Sequence, residues 1–405
     1  MPSEIPTVMI LKPFRPSVES VRAETLEYTH LVPAVEKHKK YESARINKFW
    51  NAEQDSLEEL SAAKQLALQY MLMGAVALNR PGRFPDSAEV WSRRFTHASE
   101  ELYGLPEPEL AKSLLREREG SSESTGEKIF EDAAENLGNY LNDYYSPVFD
   151  ALDIESSQAM IDPSGIADKF EAGVAILAEQ YNSDWSEWTV ERNEEKDSLS
   201  VSSQSKKIIV GMRRVPEEPI KVKALFAHEV LIHAQRGLNG VKVSKMLQNG
   251  LPDYLDAEEG LGVFVEYALT GEINEKNIDR YVDIAYALGQ IDGEEHTRQE
   301  LFDVVLKRSI SRNELKKNKK SVETLTSEAY TYVNRIYRGT PGSDMIGIFT
   351  KDISYHKGFM SMGKYLSEEI IGGKKIEEIM KYLLTGKFDP TNAKHVGYMD
   401  SIKSE

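Results

Sequence analysis

Apolar and polar positions alternate at helical spacing over most of this chain. Residues 17–75 carry apolar side chains three and four apart among Glu, Lys and Ala, with few breakers. Arg80-Pro81-Gly82 and Phe84-Pro85-Asp86 interrupt the pattern, and further helices are expected near 92–103, 108–118 and 127–152. Gly120-Ser121-Ser122-Glu123-Ser124 has the composition of a loop. We expect an N-terminal helical region, 1–155, and a second domain, 156–405, that holds the candidate chemistry. No repeat of fixed period is evident.

Residues 162–183 present an apolar stripe of Ile166, Phe170, Val174, Ile176, Leu177 and Tyr181, and predict a helix. The period then changes. Trp188-Thr189-Val190 and Leu199-Ser200-Val201 read as short strands, with 193–197 as the turn. The β-branched run at 206–213 predicts a third strand. Pro216 and Pro219 end it and open a helix, with Glu217 and Glu218 at that helix's positive end. The expected fold class is α+β, predominantly helical, with a small antiparallel sheet leading into the next helix.

That helix contains HEVLIH at 228–233. Hydrolytic zinc sites use three protein ligands and leave one position for water. Histidines four apart would share a helix face, but His228 and His233 are five apart. In an ideal helix they diverge by roughly 140°. The helix must absorb one extra residue, most simply as a π-bulge. Strain of ~1–3 kcal/mol is small beside the ~10 kcal/mol or more that zinc binding contributes. Glu229 directly follows the first histidine and is the candidate general base. The residues at 257–267 predict another helix, with Gly260 and Gly262 allowing close approach. From it Glu259 is the candidate third ligand, and Glu258 is the candidate acceptor that orients a ligating histidine. The order of strand, then metal helix, is that of thermolysin-like zinc peptidases, in which the strand pairs with the substrate backbone.

Composition narrows the alternatives. The 405 residues include 66 acidic and 50 basic side chains, a net charge of −16, so a polyanionic partner such as nucleic acid is disfavoured. The basic run at 316–320 reads as a solvated surface. Cysteine is absent, which excludes disulfides and thiolate ligands. The N-terminus lacks the apolar core of a signal peptide, and the longest apolar stretch, near 70–78, is too short for a membrane span. We expect a cytoplasmic protein without a membrane partner. His30, His38, His97, His296 and His395 have no partner at ligand spacing.

Four segments together resemble a known family: HEVLIHAQRGLNG at 228–240, NGLPDYLDAEEGLGVFVEY at 249–267, NRIYRGTPG at 334–342 and FTKDISYHKG at 349–358. In order and spacing they are similar to the microtubule-associated tyrosine carboxypeptidases. They also resemble bacterial relatives with a QEGLA motif, the flavohemoglobin expression-modulating proteins. The resemblance covers about 160–360 and departs from the bacterial motif at Glu258, where that motif has Gln, and at Gly262, where it has Ala. It implies one zinc per chain, with His228, His233 and Glu259 as ligands and Glu229 as base. The implied activity is removal of a C-terminal residue, tyrosine or another aromatic, from a peptide or protein. Arg338 and Lys351 are then candidates for the terminal carboxylate, and Tyr355 or His356 for the oxyanion. The acidic tubulin tail would meet a repulsive average field, and an amidase remains open. The alternative is a non-catalytic zinc-containing regulator. Four protein ligands would mark a closed structural site, and three would mark an open one.

Overall fold

A computed structural model describes residues 88–120, 130–153, 160–196, 198–314, 319–337 and 347–403. The helix expected over 17–75 lies outside them, as does Arg338. In chain order the first helices are α1 (Ala88–Tyr103), α2 (Pro108–Gly120), α3 (Glu131–Tyr144), α4 (Ser146–Ala151) and α5 (Pro163–Ile176). Strands β1 (Thr189–Asn193), β2 (Leu199–Ser202) and β3 (Lys207–Gly211) follow. Then come α6 (Pro219–Phe226), α7 (Gln235–Val243), α8 (Lys245–Asn249), α9 (Leu255–Thr270), α10 (Glu275–Ala287) and α11 (Arg298–Glu314). The last are α12 (Val322–Ile336), α13 (Ile353–Ile371), α14 (Ile376–Leu383) and α15 (Ala393–Lys403). The structure is predominantly helical.

The described residues fall into two compact units. The first holds 88–115 and 280–352, and the second holds 116–279 and 353–403. In the first unit α1 packs on the short turn Thr350–Asp352. Ser99 Oγ lies 3.1 Å from Thr350 Oγ1, and the Ile348 amide donates to Thr96 Oγ1 at 2.9 Å. Arg308 forks onto the buried carboxylate of Asp283, which also accepts from the Tyr332 hydroxyl at 2.7 Å.

The second unit has one main core, which includes Leu137, Phe170, Trp185, Phe226, Leu261, Phe264 and Phe359. Local signals set its elements. Asp162 caps α5 by accepting from the Gly165 amide at 2.7 Å, with Pro163 at the first helical position. Gly271, in the left-handed region at φ 71°, ends α9. Helix α9 is buried on nearly every face, as expected of a central helix. No helix among the described residues is long and apolar enough to cross a membrane.

The sheet differs from the expected one. It is mixed, in the order β1-β3-β2, with β1 parallel and β2 antiparallel to β3. Burial explains the order. β3 carries Ile208 and Val210, both fully buried, and takes the centre, whereas β1 and β2 contain no buried residue. Residues 193–196 and Ser198 fold over the end of β3 instead of closing a tight hairpin. Asn193 Oδ1 accepts from the amides of Glu195 and Lys196, and the Gly211 amide donates to the Ser198 carbonyl. A methyl group on Gly211 would stand 2.5 Å from the Lys196 carbonyl oxygen, so this crossing needs glycine. The strand immediately before the metal helix is therefore central, and its edges are both paired. The open edges belong to β1 and β2.

Candidate metal centre

After α6 the helical hydrogen bonding shifts, and Ala227–Ala234 forms a π-helical segment before α7 resumes. A π-turn holds one more residue than an α-turn, so side chains five apart return to one face. The bulge expected from the histidine spacing is present. Nε2 of His228 lies 2.9 Å from Nε2 of His233, with the rings inclined at 70°. Glu259, from α9, brings a carboxylate oxygen 3.9 Å from the first nitrogen and 3.8 Å from the second. Among the described residues this is the only His, Asp and Glu group with metal-ligand spacing. One point lies about 2.1 Å from all three atoms, the length of zinc bonds to imidazole and carboxylate.

The outer nitrogens fix the rings. His228 Nδ1 donates to Glu266 at 2.5 Å, and His233 Nδ1 donates to Glu258 at 2.9 Å. A carboxylate can only accept, so each Nδ1 carries a proton and each Nε2 of a neutral ring presents a lone pair. Two lone pairs 2.9 Å apart repel unless a cation lies between them. A metal ion fits that requirement, and without one a proton must serve. The electrostatics agree. Burial disfavours charge on His228, but Glu266 first, then Glu229 and Glu259, outweigh it and raise the imidazole to about 9.

Glu258 is almost fully buried. Burial opposes its charge, yet Lys387, then Arg236 and His233, outweigh this and hold the carboxyl well below the usual range. Arg236 Nη1 donates to Glu258 at 2.6 Å, and Lys387 Nζ lies 3.1 Å from it. The site thus contains residues that the sequence reading missed. Glu266 had a signal, since it follows Glu259 by seven residues, two turns along one face. Arg236 follows His233 by three. Lys387 is more than 120 residues from Glu258 and carried no signal.

Glu229 is partly buried beside His228, and its side chain makes no hydrogen bond or ion pair among the described residues. Tyr355 lies in the first turn of α13, the helix that meets α9 at Gly260 and Gly358. It is partly buried against the main core, and His356 beside it is buried. Lys351 belongs to the first unit, in the turn Thr350–Asp352.

A protein-family model described as microtubule-associated tyrosine carboxypeptidase matches residues 88–402. The chain belongs to this family. The match extends on both sides of the four motifs, taking in helices α1 to α4 and the C-terminal α14 and α15. As a member the chain is a metallocarboxypeptidase of the HExxxH type, and His228, His233 and Glu259 form its candidate metal group. No curated protein and no solved structure matches the chain.

Proposed function

We propose that this chain is a zinc carboxypeptidase that removes one C-terminal residue, tyrosine or another aromatic, from a protein tail. His228, His233 and Glu259 are the ligands in this reading, and Glu229 is the base. What carries it is a donor set of three, not four, with both histidines anchored through Nδ1. Three ligands leave a coordination position for water.

A zinc ion held by these three residues would supply Lewis acidity, lowering the pKa of water to about 7 and polarising the scissile carbonyl. The residues of the chain do the rest. Glu229, unengaged by any ion pair and adjacent to His228, takes the proton of the attacking water and delivers it to the leaving amine. Glu258 and Glu266 hold the two rings in the tautomer that frees Nε2. Tyr355 is the proposed oxyanion donor. Arg338 and Lys351 stay the sequence candidates for the substrate's terminal carboxylate. The family's name speaks of microtubules and tyrosine, and for this chain a tyrosine-ended protein tail is accordingly the proposed substrate class.

The test is release of the terminal amino acid from peptides ending in free tyrosine, in alanine and in tyrosine amide. The zinc-loaded enzyme should release tyrosine from the first, much less alanine from the second, and nothing from the amide. Equal turnover of the amide would remove the carboxypeptidase reading and leave an endopeptidase or amidase.

A further inference from the structure

We propose that Lys387 and Arg236 are positioning residues of the metal centre, acting on His233 through Glu258, so that the segment 383–388 is part of the metal-holding structure. This rests on the metal-centre reading above. Both oxygens of Glu258 are engaged: Oε1 by His233 Nδ1 and Lys387 Nζ, Oε2 by Arg236 Nη1. A carboxylate gripped at both oxygens has a fixed plane, and the ring that donates to it is fixed in turn.

The two cations are themselves anchored from outside the metal helix. Arg236 Nε donates to the carbonyls of Leu383 at 3.0 Å and Gly386 at 2.8 Å, and Nη2 donates to that of Phe388 at 2.6 Å. The guanidinium, 1% exposed, thereby ties α7 to a segment about 150 residues downstream. Lys387 is clamped through its backbone. Its amide donates to the Leu247 carbonyl at 2.8 Å, and its carbonyl accepts from the Leu251 amide at 2.9 Å. Its ammonium group can therefore reach Glu258 without free movement of the main chain.

A merely structural rivet would have the same contacts, so the test reads the metal rather than the fold. Full-length wild type, Lys387→Met, Lys387→Arg and Arg236→Gln are compared in three measurements. These are zinc affinity by chelator competition, the visible spectrum of the cobalt(II)-loaded protein, and the melting temperature of the metal-free protein. We expect Lys387→Met to weaken zinc binding by about 10- to 100-fold, to shift the cobalt spectrum, and to lower the metal-free melting temperature, since Glu258 loses a buried partner, by too little to account for the affinity loss. Lys387→Arg should recover most of the affinity. Arg236→Gln should weaken zinc binding at least as much, and if it fails to fold the Lys387 pair decides. Wild-type zinc affinity in Lys387→Met overturns the proposal. So does an affinity loss that only mirrors a lower metal-free melting temperature. A wild type that binds no zinc removes the metal-centre reading itself, a separate outcome.

Discussion

Gly260 and Gly358 are in backbone contact where α9 meets α13: a methyl group on Gly260 would run into the Gly358 backbone, and one on Gly358 would run into the Asp256 carbonyl oxygen. The two helices can approach this closely only because both residues lack Cβ. The contact fixes the depth of α9, and Gly260 adjoins Glu259.

Gly358→Ala should therefore separate the helices. The obstruction is main chain on both sides, so no side chain can rotate to relieve it. We expect a loss of about 1–3 kcal/mol, the usual cost of overpacking, with weaker zinc binding because Glu259 moves with its helix. Urea unfolding with and without zinc measures both. An unchanged midpoint would mean that the helices slide past each other at no cost.

How much of this was readable in the sequence differs from element to element. The spacing of His228 and His233 dictated a π-segment because two donors to one ion must share a face, and that constraint is local. The three strands were readable from β-branched residues and turn signals. Their pairing was not, because β3 takes the centre by burying Ile208 and Val210 against distant helices, a fact absent from the local pattern. The same division runs through the site. Glu258 and Glu259 follow from one short motif, and Glu266 could have been found two turns further on. Lys387 reaches the site only through tertiary folding.

Glu229→Gln isolates the chemistry from the metal. Glu229 has no ion pair to lose, and its replacement is isosteric, so fold and zinc content should stay at wild-type values. Turnover should fall by about 10²- to 10⁴-fold, the usual contribution of a general base. Elemental analysis alongside a peptidase assay checks both halves. Full turnover with zinc bound would take Glu229 out of the mechanism.

Glu266→Gln tests the anchor of His228. The amide can still accept from Nδ1, but it lacks the negative charge that makes the ring a stronger ligand. Zinc affinity should drop by about 10-fold or more, with turnover at saturating zinc reduced less. Chelator competition separates the two. An unaltered affinity would show that the 2.5 Å contact adds nothing to metal binding.

Removing the metal should expose a pH dependence that His228 controls. Burial disfavours charge on this ring, but Glu266, then Glu229 and Glu259, prevail and raise it to about 9. In the unfolded chain it returns to about 6.5. A group whose folded value is raised contributes stability in its charged form. That contribution is complete below about 6.5 and is lost as the pH climbs through about 9. The metal-free protein should accordingly melt at progressively lower temperature from pH 6.5 to 9. The zinc-loaded protein should show no such decline, because the metal then takes the place of the proton between the two nitrogens. Thermal melts across this range, in chelator and in zinc, make the comparison, and Glu266→Gln should flatten the metal-free curve. A metal-free wild type whose melting temperature ignores pH over this window would mean that no proton bridges His228 and His233, and that their 2.9 Å approach needs another explanation.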